Sequence, residues 1–170
     1  MPESQSHECP RPLAQGPDDV HALHQMCRQG RLYEVESWIA GGKPLQIVPE
    51  DIPKRTRYRS ALEIALESGQ HSLTLLLLRS GYRLDLEPYS PLDRAMRSRR
   101  WDLVDLLLEW GAPMSSVDVS ILLDTYNIEL YERFRTGGYD LTQSHGIGMS
   151  LGLSASNRPL FGFAKRHRPE

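Results

Sequence analysis

Two stretches of the chain repeat each other: residues 60–82 are SALEIALESGQHSLTLLLLRSGY, and residues 90–112 are SPLDRAMRSRRWDLVDLLLEWGA. The third residue of each stretch, Leu62 or Leu92, recurs after 30 positions, and the closing glycines share that spacing. Apolar residues recur three and four positions apart within each stretch, which is the pattern of amphipathic helices. A fixed period of this length indicates a repeat architecture.

The same pattern extends to both sides of these stretches. Leu23 is followed by glycines 7 and 19 positions later, as Leu62 is. Leu122 follows Leu92 by 30 positions, and Leu151 follows Leu122 by 29. The sequence therefore predicts five repeat units within one domain. The units cover approximately residues 20–45, 58–83, 88–113, 118–141 and 147–170, and the last of them is degenerate.

The predicted domain covers residues 18–170 and follows a segment of different composition. Residues 1–17 contain four prolines and few apolar residues. Such a segment buries too little apolar surface to offset the entropy lost on ordering. It is predicted to be a flexible, Pro-rich lead-in.

Each unit is predicted to form two short antiparallel helices. Ser60, Ser90 and Ser120 precede the first helix of three units, where a hydroxyl oxygen can accept a hydrogen bond from a free backbone N–H. A glycine after the second helix fits a left-handed C-terminal cap. These glycines are Gly42, Gly81, Gly111 and Gly138. The apolar stripe of the second helices consists of Val35, Trp38, Ile39, Leu73, Leu76, Leu77, Leu103, Val104, Leu106, Leu107, Leu130, Tyr131 and Phe134.

This pattern resembles the ankyrin repeat. The Thr-Pro-Leu-His-x-Ala start of that family is similar to His-Ala-Leu-His-Gln-Met at 21–26, Ser-Ala-Leu-Glu-Ile-Ala at 60–65 and Ser-Pro-Leu-Asp-Arg-Ala at 90–95. Its Gly-His between helices is similar to Gly-Gln-His at 69–71, and its Leu-Leu-Leu-x-x-Gly-Ala ending to residues 106–112. The resemblance implies an all-α fold, an ankyrin-type solenoid of helical hairpins.

The chain departs from the family pattern in three places. The family period is about 33 residues, so the 30-residue spacing predicts shortened fingers between hairpins. Leu62 follows Leu23 by 39 positions, which places one longer insertion, within residues 44–60, between the first two units. In the fourth unit Gly138 follows Leu122 by 16 positions and not 19, so one helix is expected to lack about a turn. The fifth unit is a capping unit, a poorly ordered tail or a sign that the chain is part of a longer one.

Composition and motifs disfavour catalysis. The formal net charge is −2, which gives no overall attraction to nucleic acid or anionic membranes. No P-loop, no Gly-x-Ser-x-Gly elbow and no Ser-His-Asp order is present, and no cofactor is expected. Gly146 and Gly148 follow no predicted strand, so a phosphate cradle there is not favoured. There is no signal peptide pattern, and the longest apolar run, residues 75–78, cannot span a bilayer. A cytoplasmic protein that is monomeric by default is the expectation.

One motif has the spacing of metal ligands. His21, His24 and Cys27 follow each other at intervals of three residues on the first predicted helix. His24 instead matches the family position where His supports a turn, and Cys27 falls on the core face. We therefore expect a core role for these residues and no metal site. The only other cysteine, Cys9, lies in the lead-in, and two cysteines cannot form a disulfide framework.

The resemblance implies a protein that binds another protein on a concave face lined by the first helices. The expected function is that of an adaptor or an inhibitor of the immunity type, with a partner that presents an acidic surface. Arg and Trp are favoured at binding hot spots. The candidate partner-binding residues are Arg28, Arg55, Arg57, Tyr58, Arg59, Glu63, Glu67, Arg94, Arg97, Arg99, Arg100 and Trp101.

Other interpretations stay open at this level. Arg99 and Arg100 are equally compatible with simple solvation of an interhelix turn. The arginines at 55–59 and 97–100, interleaved with Tyr58 and Trp101, also fit binding to nucleic acid or another anionic ligand. Acidic residues on neighbouring first helices would repel a phosphate backbone, so a nucleic acid partner is not favoured. The chain also fits a subunit of a larger assembly, tethered by its lead-in.

Overall fold

A computed structural model describes residues 12–52 and 58–139 of the chain. The described part is all-helical: eight α-helices, three short 3-10 helices and one isolated β-bridge, with no strand. The α-helices are α1 (Pro17–Arg28), α2 (Leu32–Ala40), α3 (Ala61–Glu67), α4 (His71–Arg79), α5 (Pro91–Arg97), α6 (Trp101–Glu109), α7 (Val119–Asp124) and α8 (Ile128–Thr136). No helix in the described ranges combines the length and the apolar character that crossing a membrane requires.

The chain divides into two units, Met1–Pro88 and Tyr89–Glu170. The sequence predicts a single domain over residues 18–170, and the division falls between its second and third predicted repeats. The predicted fifth repeat, residues 147–170, lies outside the described residues. The described residues of each unit form two helical hairpins.

The first unit is built from the hairpins α1–α2 and α3–α4. α1 packs against α3, and α2 packs against α4, so the two hairpins lie side by side with like helices adjacent. The core face of α1 includes Leu23 and Cys27, which are fully buried, and α3 is buried along residues 61–66. Burial at Cys27 confirms the core position that the sequence predicts.

The second unit repeats this arrangement with the hairpins α5–α6 and α7–α8. α5 packs against both α6 and α7, and α7 packs against α8. An ion pair of 2.5 Å between Asp105 on α6 and Arg133 on α8 joins the two second helices. The core includes Leu92 and Leu107 of the first hairpin and Phe134 of the second.

The predicted apolar stripe is fully buried on two of the four second helices. Every predicted residue of α6 and α8 is buried. On α2 only Val35 is buried, and the prediction is wrong at Trp38 and Ile39, which are partly buried. On α4 the prediction is wrong at Leu76, which is only partly buried, because the buried face is formed by Leu73, Leu77, Leu78 and Thr74. Thr74 occupies the core because its hydroxyl donates to the carbonyl of Gln70, 2.9 Å away, so it brings no unpaired polar group inside.

The predicted helix starts are confirmed at two of three serines. The Ser60 hydroxyl accepts a hydrogen bond from the Glu63 N–H at 3.0 Å, and the Ser90 hydroxyl accepts one from the Asp93 N–H at 3.3 Å. Ser120 is not a cap, because α7 begins at Val119. The Asp118 carboxylate takes that role and accepts from the Ser120 N–H at 2.8 Å.

The fourth repeat is shifted in register and is not missing a turn of its second helix. α8 has nine residues, as α6 has, and α7 has six where α5 has seven. Leu92 is the second residue of α5, whereas Leu122 is the fourth residue of α7. The shorter distance from Leu122 to its closing glycine follows from this later position in the helix.

Closing glycines are in the predicted left-handed conformation. φ is +65° at Gly42, +83° at Gly81, +79° at Gly111 and +83° at Gly138. The residue after Gly81 donates its N–H back to the carbonyl of Leu77 at 3.2 Å, which closes the end of α4. Between hairpins the chain makes the 3-10 turns Leu84–Leu86 and Met114–Ser116.

The described part of the insertion between the first two hairpins packs within the first unit. Its Ile47 forms an isolated bridge with Ala14, whose N–H donates to the carbonyl of Gln46 at 2.8 Å. Ala14 is 3% exposed and packs with Val20 and Ile47, against which Ile52 and Tyr58 also lie. The folded part of the chain therefore includes Ala14, which the sequence analysis places in the lead-in that ends at residue 17.

Gln46 joins this insertion to the end of the second hairpin. Its side chain is 5% exposed, its amide N–H donates to the Arg83 carbonyl at 2.8 Å, and its amide oxygen accepts from the Arg83 N–H at 2.6 Å. Both polar groups of one backbone residue are thus satisfied by a single side chain 37 positions away. No sequence motif marks Gln46 for this role.

Replacement of Gln46 tests how much this link contributes. Gln46→Leu removes both hydrogen bonds and leaves two backbone groups without partners, so we expect a loss of about 2–3 kcal/mol in the free energy of unfolding. Gln25→Leu, on the exposed face of α1, should change it by less than about 0.5 kcal/mol. Urea unfolding followed by circular dichroism measures both. Equal midpoints for the two variants would contradict a structural role for the Gln46 amide.

Candidate functional site

The predicted binding residues of the first unit fall into different environments. Arg28 is exposed at the end of α1. Glu67 is exposed and forms an ion pair of 2.9 Å with Arg59, which is itself half-buried. Glu63 is only 8% exposed, so a partner on this face would reach little of it. Arg55 and Arg57 lie outside the described residues.

Tyr58 is part of the small core under the insertion. Its ring centroid lies 5.5 Å from that of His24, at an angle of 60°. Burial raises its pKa, and the nearby Glu87 carboxylate raises it further. The ring packs against the cluster of Ala14, Val20 and Ile47. Its position gives Tyr58 a packing role that its place in an Arg-rich loop does not indicate.

The second unit holds the largest group of candidates together. Arg94 is half-buried on α5, and Arg97 is exposed at the end of that helix. Arg99 is exposed in the turn that follows, and Trp101 begins α6 with its side chain partly buried. The stretch Arg97–Trp101 therefore combines exposed positive charge with an aromatic ring.

Arg100 is engaged within this stretch. Its guanidinium forms a two-pronged contact with Asp102, at 2.9 Å from Nε to Oδ1 and 2.8 Å from Nη2 to Oδ2. The Asp102 hydrogen bonds raise the pKa of Arg100, and the Arg100 contact lowers the pKa of Asp102. The fork holds Arg100 in place at the start of α6 and satisfies its charge locally.

Arg99 has an uncommon backbone conformation. Its φ is +53°, in the left-handed region that costs a residue with a Cβ about 1–2 kcal/mol. The two equivalent turns of the first unit have glycine at this position, Gly30 with φ +67° and Gly69 with φ +63°. Tyr126, in the turn between α7 and α8, also has a positive φ, +54°. The spacing could have revealed Arg99, because it follows Leu92 by seven positions, as Gly69 follows Leu62.

A second polar cluster, which the sequence does not predict, lies in the first unit around Glu87. The Glu87 carboxylate accepts hydrogen bonds from the Ser60 hydroxyl at 2.8 Å and from the Tyr82 hydroxyl at 2.5 Å. Burial raises the pKa of Glu87, these hydrogen bonds oppose that rise, and the neighbouring Glu63 adds to it. The cluster ties the loop after α4 to the start of α3. Glu87 stands outside every repeated motif, so nothing in the pattern singles it out.

Asp93 makes a comparable link in the second unit. Its carboxylate accepts a hydrogen bond from the Asp118 N–H at 3.1 Å, which joins the start of α5 to the cap of α7. Burial raises the pKa of Asp93 to about 6, against the effect of that hydrogen bond. The Asp118 carboxylate raises the pKa as well, and Arg97 lowers it.

The histidines and the cysteine of α1 do not converge. His21 is exposed, whereas His24 and Cys27 are buried. Burial lowers the pKa of His24 to about 4, with Arg28 and His21 contributing, and burial raises the pKa of Cys27 to about 12. In residues 12–52 and 58–139 no three His, Cys, Asp or Glu side chains are grouped as metal ligands.

No protein-family model matches the sequence. A search of curated proteins also finds no similar chain.

Replacing Arg99 by glycine tests the backbone strain. Arg99→Gly removes the strain of a left-handed residue that has a Cβ, which stabilises the fold. Glycine also loses more conformational entropy on folding, which offsets part of this gain. We therefore expect a net gain of about 1 kcal/mol in the free energy of unfolding. The reverse change at the equivalent turn, Gly69→Arg, should destabilise by about 1–2 kcal/mol. Thermal and urea unfolding measure both. A loss of stability in Arg99→Gly would show that the arginine side chain stabilises the turn.

Asp93 gives the second unit a dependence on pH. Its folded-state pKa of about 6 lies above the ordinary value of 3.8 for an aspartate, so the folded chain holds the proton more tightly. Stability from this group is therefore present below pH 4 and is lost as the pH rises to about 6, by about 1–2 kcal/mol after allowance for solvent screening. Asp93→Asn keeps an oxygen acceptor for the Asp118 N–H and removes the charge.

We expect Asp93→Asn to be more stable than the wild type at pH 7 and about equal to it at pH 4. Urea unfolding at four pH values between 4 and 7 gives the difference between the two proteins, in which the titration of His24 and Glu87 cancels. A difference that does not change with pH would rule out a raised pKa at Asp93.

Proposed function

We propose that this chain is a divergent ankyrin-type solenoid of helical hairpins that binds another protein without catalysis, as an adaptor or inhibitor. The 30-residue spacing supports this, together with the pairing of like helices inside each unit and the left-handed glycine after each second helix. Hairpins stacked in this way offer their first helices and turns to a partner.

The observation that carries the proposal is the exposed charge at Arg97 and Arg99, shortly before the partly buried Trp101 in the sequence. Arg and Trp are enriched among residues that dominate binding energy, because they combine a large contact area with directed polar groups. The two hydrogen bonds from the Arg100 guanidinium to the Asp102 carboxylate hold the chain between Arg99 and Trp101 in place. This arrangement favours a partner with an acidic surface, since two cations lie unburied on one turn.

Nucleic acid binding is less well supported. The Arg59 guanidinium is 2.9 Å from the Glu67 carboxylate, and Arg100 is bound to Asp102. A phosphate backbone would have to replace these carboxylates and would meet their repulsion. A folded protein can present single acidic residues to Arg97 and Arg99 and avoid the acids nearby, so a protein partner is favoured.

A non-catalytic role is supported by the hydrogen bonds that the carboxyl groups of Glu87 and Asp93 make within the fold. Glu87 and Asp93, whose pKa values burial raises, both accept hydrogen bonds that hold loops in place. A general acid or base needs its carboxyl free to meet a substrate. These two groups contribute to the fold, and binding is left to the exposed residues.

Affinity capture from lysate of the source cells, with identification by mass spectrometry, tests the proposal. The wild type should retain one protein with an acidic surface, and Arg97→Glu/Arg99→Glu should retain at least tenfold less of it. The matched control Lys43→Glu/Arg79→Glu makes the same change of charge at exposed sites of the first unit and should retain it as the wild type does. The proposal of protein binding fails if nothing is retained, and its assignment to Arg97 and Arg99 fails if both variants behave as the wild type.

A further inference from the structure

The turns α5–α6 and α7–α8 lie at the same end of the second unit. Asp105, four residues after the start of α6, contacts Arg133, five residues after the start of α8. The starts of α5 and α7 are likewise joined, through Asp93 and the Asp118 N–H. Like helices therefore run in the same direction, and the turns that connect them share one end of the unit.

That end carries an unusual set of exposed side chains. We define it as the turn face, formed by Arg97, Arg99, Trp101, Tyr126 and Ile128. Tyr126 is 41% exposed and Ile128 is 51% exposed, although both are large apolar residues. Packed helices are about 8–10 Å apart, a distance that one extended peptide segment spans in three residues. The turn face is therefore of a size that a short peptide could cover.

Both turns of this face are strained, and those of the first unit are not. The left-handed positions hold Arg99 and Tyr126 here, whereas Gly30 and Gly69 hold them there. No hydrogen bond or ion pair links the Arg99 side chain to another residue in the part of the chain that the structure describes. A strained residue whose side chain stabilises nothing around it indicates a use outside the fold.

The charges of this end decide between classes of ligand. Arg97 and Arg99 lie on the first turn, whereas Asp124 and Glu129 are exposed beside the second. A polyanion or an anionic membrane would be attracted to one turn and repelled by the other. A peptide segment can place an acidic side chain on the arginines and an apolar one against Tyr126 and Ile128.

We propose that the turn face binds an extended segment of a partner protein in which an acidic residue stands two to four positions from an aromatic or large aliphatic residue. This inference rests on the proposed function and specifies its ligand. Arg97 and Arg99 hold the carboxylate, and the rings of Trp101 and Tyr126 with Ile128 cover the apolar side chain. Arg99 and Tyr126 hold the left-handed positions of the two turns, and both residues are exposed to the ligand.

Selection from a phage-displayed library of random 12-residue peptides, on the full chain, tests the inference. Enriched peptides should share an acidic residue near an aromatic or aliphatic one. Their dissociation constants, measured by fluorescence anisotropy, should rise at least tenfold in Arg99→Gly and in Tyr126→Gly, while Arg99→Gly unfolds at a higher temperature than the wild type. Tyr33→Ala, which removes the most exposed tyrosine of the first unit, should bind as the wild type does.

Two outcomes overturn the inference and separate it from the proposed function. Peptides that bind the glycine variants as well as the wild type, but are lost in Arg28→Glu, would move the site to the first unit and leave protein binding intact. Failure to enrich any peptide would exclude a short linear ligand, and the capture experiment then decides the proposed function on its own. Enrichment of basic peptides would also contradict the assignment of Arg97 and Arg99.

Discussion

The short length of the helices is the constraint on which this structure depends. The α-helices of the two units have between 6 and 12 residues, and helices of this length are marginal in water when isolated. Each must therefore bury an apolar face against the next, and each end must satisfy its free backbone groups within a few residues. Side-chain caps at Ser60, Ser90, Asp118 and Asn127 serve these ends.

The same constraint explains why polar side chains tie the loops to the helix starts. The capping serine of a hairpin also contacts the loop that follows that hairpin: Ser60 donates to Glu87 at 2.8 Å, and Ser90 accepts from Ser116 at 3.1 Å. Gln46 binds the backbone of the same loop in the first unit. Each link joins residues more than twenty positions apart. In the described residues no two-stranded finger connects the hairpins, and these hydrogen bonds hold the loops in place.

The sequence predicts the four hairpins of the described residues, but not the hydrogen bonds that link their loops to the helix starts. The 30-residue period predicts the hairpins and the left-handed glycines, because apolar spacing and glycine conformation are local properties. Gln46 and Glu87 could not be predicted, since their partners are brought close only by the fold. The later position of Leu122 within α7 could not be predicted for a related reason. Asp118 and Ser120 both have side chains that can cap a helix, and the local sequence does not show which of them does so.

The exposure of the candidate binding residues could be predicted only in part. The arginines and the tryptophan within residues 97–101 are exposed or partly exposed, as expected. Tyr58 instead packs against the small core of the first unit, and Glu63 is buried. α3 is buried along residues 61–66, which leaves its helix end and the turns as the surface that a partner can reach. On α5 likewise only Arg97, at the end of the helix, is exposed. Under the proposed function we therefore expect a partner to contact the ends of α3 and α5 and the turns that follow them. The left-handed backbone of Arg99, where the first unit has glycine, is consistent with the proposal that this turn contacts a partner, because strained residues are common at binding sites.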